Sequence, residues 1–250
     1  MLRPLIKLRR VVTVLLLAAG VVQPGRAQQA PSAMPRYDVP GWEYAAFFGI
    51  GVVMLIPNRM AERLPYATCM PCDPSGVWAI DRLAIGDVDR RISRVTDILQ
   101  AGSFAGGIAL TVDARPNQSS EARLEDVMVF SEAVVVTAAV TEWSKLVFRR
   151  PRPPRYSQYA TKYPEADYGR SFPSGHTSTT FAAAAAYMSI LQRRGEAGRH
   201  ETEIAAMFGV ATLTGVLRVF AHKHFPTDVV AGAVLGTAIG WAIPQVHRIQ

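Results

Sequence analysis

The sequence predicts an all-α protein, a helical bundle with about five of its helices crossing a membrane. Three observations carry that expectation. Apolar segments recur at 43–57, 95–112, 127–141, 177–191, 204–220 and 227–243. They are rich in Ala, Val, Gly and Leu, and none shows the two-residue alternation of a half-buried strand. Gly and Ala are dense in 95–112 and 227–243, as in helices that pack closely within lipid.

Taken in order, the chain opens like an exported protein. Arg3, Lys7, Arg9 and Arg10 precede the apolar run "VVTVLLLAAGVV" and then "PGRAQQA", with small residues at Gly25 and Ala27. That run is the length of a signal-peptide core and short of the ~20 residues of a membrane span. Residues 1–27 are therefore expected to be a signal peptide cut after Ala27, the alternative being an uncleaved anchor. Those residues hold five basic groups and no acid, so the net charge of +7 falls to +2 over residues 28–250. A basic face for nucleic acid is not indicated.

Residues 28–94 form an N-terminal region that begins with a polar, Pro-containing lead-in at 28–41. Its segment 43–57 is among the shortest of the six, with 127–141 and 177–191. Cys69 and Cys72 stand as "CMPC" in a Pro-rich loop, without the strand-then-helix pattern of a redox motif. In an oxidising compartment they are expected to close a small disulfide loop.

The later segments run to ~15–18 residues, marginal for a ~30 Å hydrocarbon layer, so a soluble helical bundle is the alternative. Gln192-Arg193-Arg194 and His247-Arg248 fit cytoplasmic ends. If the mature chain starts outside and residues 145–176 also lie outside, an even number of spans precedes them. Segments 95–112 and 127–141 supply two. Segment 43–57 is then interfacial or packed, and five spans leave the C-terminus in the cytoplasm.

Three stretches carry chemistry. Between 144 and 173, Lys145, Arg149, Arg150, Arg152, Arg155, Lys162 and Arg170 face only Glu165 and Asp167. Such a run is usually a solvated face. Here it leads into "SFPSGHTS", where Pro173 stops a helix from behind and Ser174 is a good N-cap. Gly175 leaves the first amides uncovered at the positive end of a helix dipole, an anion site in outline, with His176 in the first turn. The third stretch is "LRVFAHKHFPTDVV". Pro226 suits a first helical turn, and Asp228 lies four residues after His224, so a carboxylate can orient that imidazole and leave Nε2 a free lone pair. Arg218 adds a guanidinium for an oxyanion. His222 has no acid at that spacing and is read as incidental. Cations on equatorial oxygens, an in-line nucleophile and an acid opposite it suit a phosphoryl group. Fixed cations carry the charge, so neither a metal nor another cofactor is expected, and His, Asp and Glu show no metal-ligand spacing here.

These motifs strongly resemble the type 2 phosphatidic acid phosphatase (PAP2) family, whose helical fold is shared with bacterial non-specific acid phosphatases and vanadium haloperoxidases. The family's Lys, six residues, Arg-Pro matches Lys145, Arg152 and Pro153. Pro-Ser-Gly-His matches Pro173, Ser174, Gly175 and His176. The third motif, Ser-Arg, five residues, His, three residues, Asp, matches Arg218, His224 and Asp228, with Leu217 in place of the serine. The resemblance covers residues 95–247, as a PAP2-type phosphatase domain. It implies that His224 attacks phosphorus, Asp228 holds and balances that imidazole, and His176 protonates the leaving alkoxide. It implies that Lys145, Arg152, Arg218, Ser174 and Gly175 bind the phosphate.

The resulting expectation is a metal-independent phosphatase for phosphate monoesters or pyrophosphates of membrane lipids, working through a phosphohistidine. It would sit in a bacterial-type inner membrane with its active site facing the periplasm. A soluble periplasmic acid phosphatase is the alternative, with a haloperoxidase or a non-catalytic phosphate-lipid binder behind it. Retention of both histidines, the aspartate and three cations speaks against the binder, which needs no nucleophile.

Overall fold

A computed structural model describes residues 36–60, 63, 69–114, 118–247 and 249. The expected signal peptide, residues 1–27, lies outside the described residues. Six long helices account for the six apolar segments, all extending beyond their apolar runs and the third, at 29 residues, nearly doubling it. They are α1 (Gly41–Met60), α2 (Arg90–Asp113), α3 (Ser120–Phe148), α4 (Gly175–Arg193), α5 (Glu201–Phe220) and α6 (Pro226–Val246). No β-strand is present among the described residues; one isolated bridge joins Tyr37 to Ile249.

The ends follow local chemistry. Asp89 caps α2 by accepting the amides of Arg91 and Ile92, and Ser119 caps α3 by accepting that of Ala122. α3 stops where Arg149 turns left-handed at φ 46°, just before Pro151, which cannot continue a helix. Pro226 begins α6, where its missing N–H costs nothing.

α4 is the axis of the bundle. Ala182 to Ala186 are all buried, and Ala183, Ala184 and Ala186 pack with Tyr187, Ile190 and Leu191 against Phe130 and Ala133 of α3 and Met207 of α5. α6 lies against α4 almost backbone to backbone. A Cβ on Gly232 would sit 2.7 Å from the Ser174 carbonyl oxygen, and side chains at Gly236 and Gly240 would overlap the backbones of Ser178 and Ala182. Small residues at this spacing are what permit such an approach.

Outside that axis several helices expose large apolar side chains. Ile98 on α2, Val216 and Phe220 on α5, and Val230 and Val234 on α6 all point outward. α2, α5 and α6 are each long and apolar enough to cross a membrane, with only 17%, 28% and 22% of their apolar windows buried inside the protein. α3 and α4 match them in length, at 29 and 19 residues.

α1 packs against α3, with its first turn level with the middle of that helix. At its start Glu43 meets His247 at 3.1 Å, and near its end the Pro57 carbonyl accepts from Arg170 at 3.5 Å. Its Trp42, Val52 and Ile56 face outward like the residues of the other helices. Cys69 and Cys72 form a disulfide, Cα–Cα 4.7 Å, in the connection that follows.

Candidate active site

Four helix ends meet at one end of the bundle: the C-termini of α3 and α5 and the N-termini of α4 and α6. They bring the three sequence motifs together. Lys145 comes from the last turn of α3, Arg218 from the last turn of α5, Ser174 and Gly175 from the start of α4, and Asp228 from the first turn of α6. Arg152 lies in the connection between α3 and α4, a segment of short 3-10 turns, and His224 in the connection between α5 and α6.

His224 is 1% exposed. Its Nε2 lies 3.0 Å from Arg152 Nη1. A guanidinium can only donate, so Nε2 is the acceptor and the ring proton sits on Nδ1. Nδ1 faces Ser171 Oγ at 3.4 Å and Asp228 Oδ2 at 3.6 Å. At 3.6 Å the Asp228 carboxylate lies beside the Nδ1 proton but beyond hydrogen-bond distance. Oδ2 has other work, because it accepts the Phe225 amide at 2.9 Å and the Ser171 hydroxyl at 2.5 Å. Burial, with Arg152 beside it, holds the His224 imidazole well below its usual range. The ring is uncharged at neutral pH, with its lone pair on the cationic side.

The cations surround that lone pair. Arg152 is held by Asp167, through Nε to the backbone oxygen and Nη2 to Oδ1, both 3.0 Å. Burial works against the Asp167 charge, yet Arg152 and Lys145 pull its carboxyl down to about 2. Lys145 is buried and paired with Glu142. Its Nζ lies 3.3 Å from where a side chain on Gly175 would begin, so glycine there lets the ammonium reach the start of α4. Arg218, 4% exposed, donates to Thr96 Oγ1 at 3.2 Å. Its Nε has no hydrogen-bond partner among the described residues, a donor left for an anion.

Ser174 occupies the N-cap position of α4, but its hydroxyl pairs with Thr177 Oγ1 at 2.9 Å instead of capping an amide. Its own N–H donates to the Asp228 carbonyl at 3.0 Å, which ties α4 to α6. His176 faces α2, with Nε2 2.8 Å from Asp97 Oδ1. His222 points elsewhere, its Nδ1 2.8 Å from the Ala84 carbonyl oxygen.

Sequence reasoning did not single out Asp97, Asp167, Ser171, Arg150 or Asp81. Asp97, Asp167, Ser171 and Arg150 touch motif residues directly, and Asp81 reaches Asp228 through Arg150. Lys223 is also close: its Nζ donates to Tyr168 Oη at 2.9 Å, and burial with Arg152 and Arg218 nearby lowers it to about 8. The arrangement can bind a tetrahedral anion with fixed positive charge and attack it with an imidazole.

Comparison with known proteins agrees with that chemistry. The family described as PAP2 superfamily matches residues 126–250, half of the chain and all three motifs. The chain is 32% identical over 77 residues to lipid A 1-phosphatase of Porphyromonas gingivalis, covering 31% of this chain and 16% of that protein. It is 32% identical over 130 residues to lipid phosphate phosphatase 1 of Arabidopsis thaliana, covering 43% and 40%. Over 135 residues it is 31% identical to glucose-6-phosphatase 3 of Bos taurus, covering 46% and 39%. It thus spans less than half the length of these curated relatives.

Proposed function

Since the chain belongs to the PAP2 superfamily, we propose that it is a membrane-embedded, metal-independent phosphatase of phosphorylated lipids. The observation that carries this reading is the buried, uncharged His224 with its Nε2 against Arg152. A nucleophile with a free lone pair stands where fixed cations would hold a phosphoryl group. Lys145, Arg152 and Arg218 neutralise the phosphoryl oxygens, with the amides at the start of α4. His224 Nε2 attacks phosphorus in line, the P–O bond to the leaving group breaks, and His176 gives its proton to the departing oxygen. Asp228 balances the charge that His224 acquires. Water then attacks the phosphohistidine, its proton passes to His176, and the P–N bond breaks to release phosphate.

The apolar exterior supports a lipid substrate, because the site opens at the end of helices whose outward faces suit hydrocarbon. Two relatives are named for lipid phosphates. The likeness to a glucose-6-phosphatase favours a second reading, a membrane enzyme whose ester is water-soluble. Purified protein in detergent with EDTA present, offered phosphatidic acid, undecaprenyl pyrophosphate and p-nitrophenyl phosphate, separates the two. Release from a lipid that vanishes in His224→Ala supports the first. Release from the soluble ester alone supports the second. No release from a folded protein removes the phosphatase reading.

The site is proposed to face the exported side. With α1 in the lipid layer, Arg36 to Glu43 then lie on the opposite side. Cleavage after Ala27 instead requires α1 to stay outside the layer. A cysteine placed at Asp38 and labelled from one side in intact cells distinguishes these arrangements.

A further inference from the structure

Asp228 is gripped from the side away from His224 by residues at none of the positions the three motifs specify. Arg150 Nη1 donates to Asp228 Oδ1 at 2.6 Å and to Thr227 Oγ1 at 2.7 Å, while Nη2 donates to Asp81 Oδ2 at 2.8 Å. Asp81 in turn accepts the Thr227 amide on Oδ1 at 3.0 Å and the Thr227 hydroxyl on Oδ2 at 2.7 Å. The guanidinium lies 4.1 Å over the Phe225 ring. Both carboxylates are buried, at 0% and 1% exposure. The first turn of α6 is thus clamped by an alternating row of charges, Asp81, Arg150, Asp228, that ends at His224.

We propose that Arg150 and Asp81 are positioning residues for the hydrolysis, fixing the carboxylate of Asp228 so that Oδ2 faces the proton on His224 Nδ1. The inference rests on the phosphatase reading. A carboxylate has two oxygens and one torsion. With Oδ1 fastened to Arg150, Oδ2 is left to the Phe225 amide, Ser171 and the imidazole. Arg150 also supplies the charge that lets Asp228 remain a carboxylate in a dry place, and Asp81 does the same for Arg150. Neither residue touches the phosphate cage through any contact described above, so both act through Asp228. Asp81 lies outside the family match of residues 126–250, in the region that the motifs left unassigned.

The clamp is tested by kinetics of Arg150→Met, Arg150→Lys, Asp81→Asn and the double variant Asp81→Asn/Arg150→Met, with melting temperature as the control for folding. Arg150→Met is expected to lower kcat about 100-fold with KM changed less than about threefold, since misplacing a reacting group costs turnover rather than binding. Asp81→Asn is expected to lower kcat about tenfold, and Arg150→Lys to recover part of the loss. The double variant should be no worse than Arg150→Met, because the two act in series. The acid limb of kcat against pH should move to higher pH in Arg150→Met, which a purely structural role would not produce. A folded Arg150→Met with kcat within about twofold of the parent, a loss confined to KM, or additive losses in the double variant would overturn the inference. If Arg150→Met does not fold, Asp81→Asn alone decides, and unchanged kcat there overturns it. A parent that hydrolyses no phosphate ester overturns the functional reading and this inference with it, whereas an active parent with unaffected variants overturns this inference alone.

Discussion

Two histidines stand just beyond the two ends of α6, His224 before it and His247 after it. Both are buried, and both have a carboxylate within 4 Å. They are nevertheless held in opposite protonation states. His224 sits among cations, and burial together with Arg152 drives its imidazole well below the usual range. His247 Nε2 lies between Glu132 at 3.2 Å and Glu43 at 3.1 Å, and the Glu132 contact raises it to about 9 against the effect of burial. Burial penalises the charge at both ends, and the neighbours decide whether that penalty wins. One end of the helix keeps a neutral ring with a lone pair, suited to attack. The other keeps a charged ring that fastens the first turn of α1, the middle of α3 and the end of α6 together.

The sharpest way to break this comparison is to remove each ring. If His224 is the nucleophile as proposed, His224→Ala is expected to cost at least ~10³-fold in kcat. His247→Ala should leave kcat within about threefold of the parent. Equal losses in the two variants would end the distinction. The helix that carries both ends is the next target. Gly236→Leu places a side chain into the Ser178 backbone and should destabilise the protein by ~3 kcal/mol or more, read as a lower melting temperature in detergent.

Stability against pH separates the two rings by sign. The raised His247 contributes stability that is full below about pH 6.5, the unfolded value, and is lost as pH rises through about 9. The depressed His224 contributes stability that is full above about pH 6.5 and is lost as pH falls below it. His247→Phe should therefore flatten the alkaline arm of the melting curve, and His224→Phe the acid arm. The smallest effect is expected at Lys223. Its amine titrates near 8, so KM should rise above that pH, and Lys223→Met should remove the rise.

Much of the site was legible because its chemistry is local. Lys145 to Arg152, Ser174 to His176 and His224 to Asp228 each lie within about two helical turns, where spacing alone says which groups can meet. Contacts between distant segments were not legible. Nothing in the sequence pairs His176 with Asp97, 79 positions upstream, or Arg150 with Asp81, 69 positions upstream. The two Arg-Pro pairs at 150–151 and 152–153 look alike in composition. Only the resemblance to the family's Lys, six residues, Arg-Pro motif favoured Arg152, and the neighbour Arg150 proves to hold Asp228. Spacing also brought Asp228 to His224 without foreseeing that the Phe225 amide and Ser171 would share the same oxygen. The six apolar segments marked every long helix among the described residues, but the Glu43 and Pro57 ends of α1 are held by His247 after α6 and Arg170 in the loop after α3, so its placement depends on tertiary packing.

The close seam between α4 and α6 has a consequence for life in a bilayer. Lipid layers thicken, thin and press sideways, and helices answer by tilting at a cost of only fractions of a kcal/mol per Å. Two backbones in contact through Gly232, Gly236 and Gly240 have no side-chain cushion in which to slide. Ser174 and His176 ride on one of them and Asp228 on the other, so the seam works as a jig. On the proposed lipid-phosphatase reading, changes in lipid composition or temperature are expected to alter how readily a substrate arrives, while the spacing of the groups on the two helices is expected to hold.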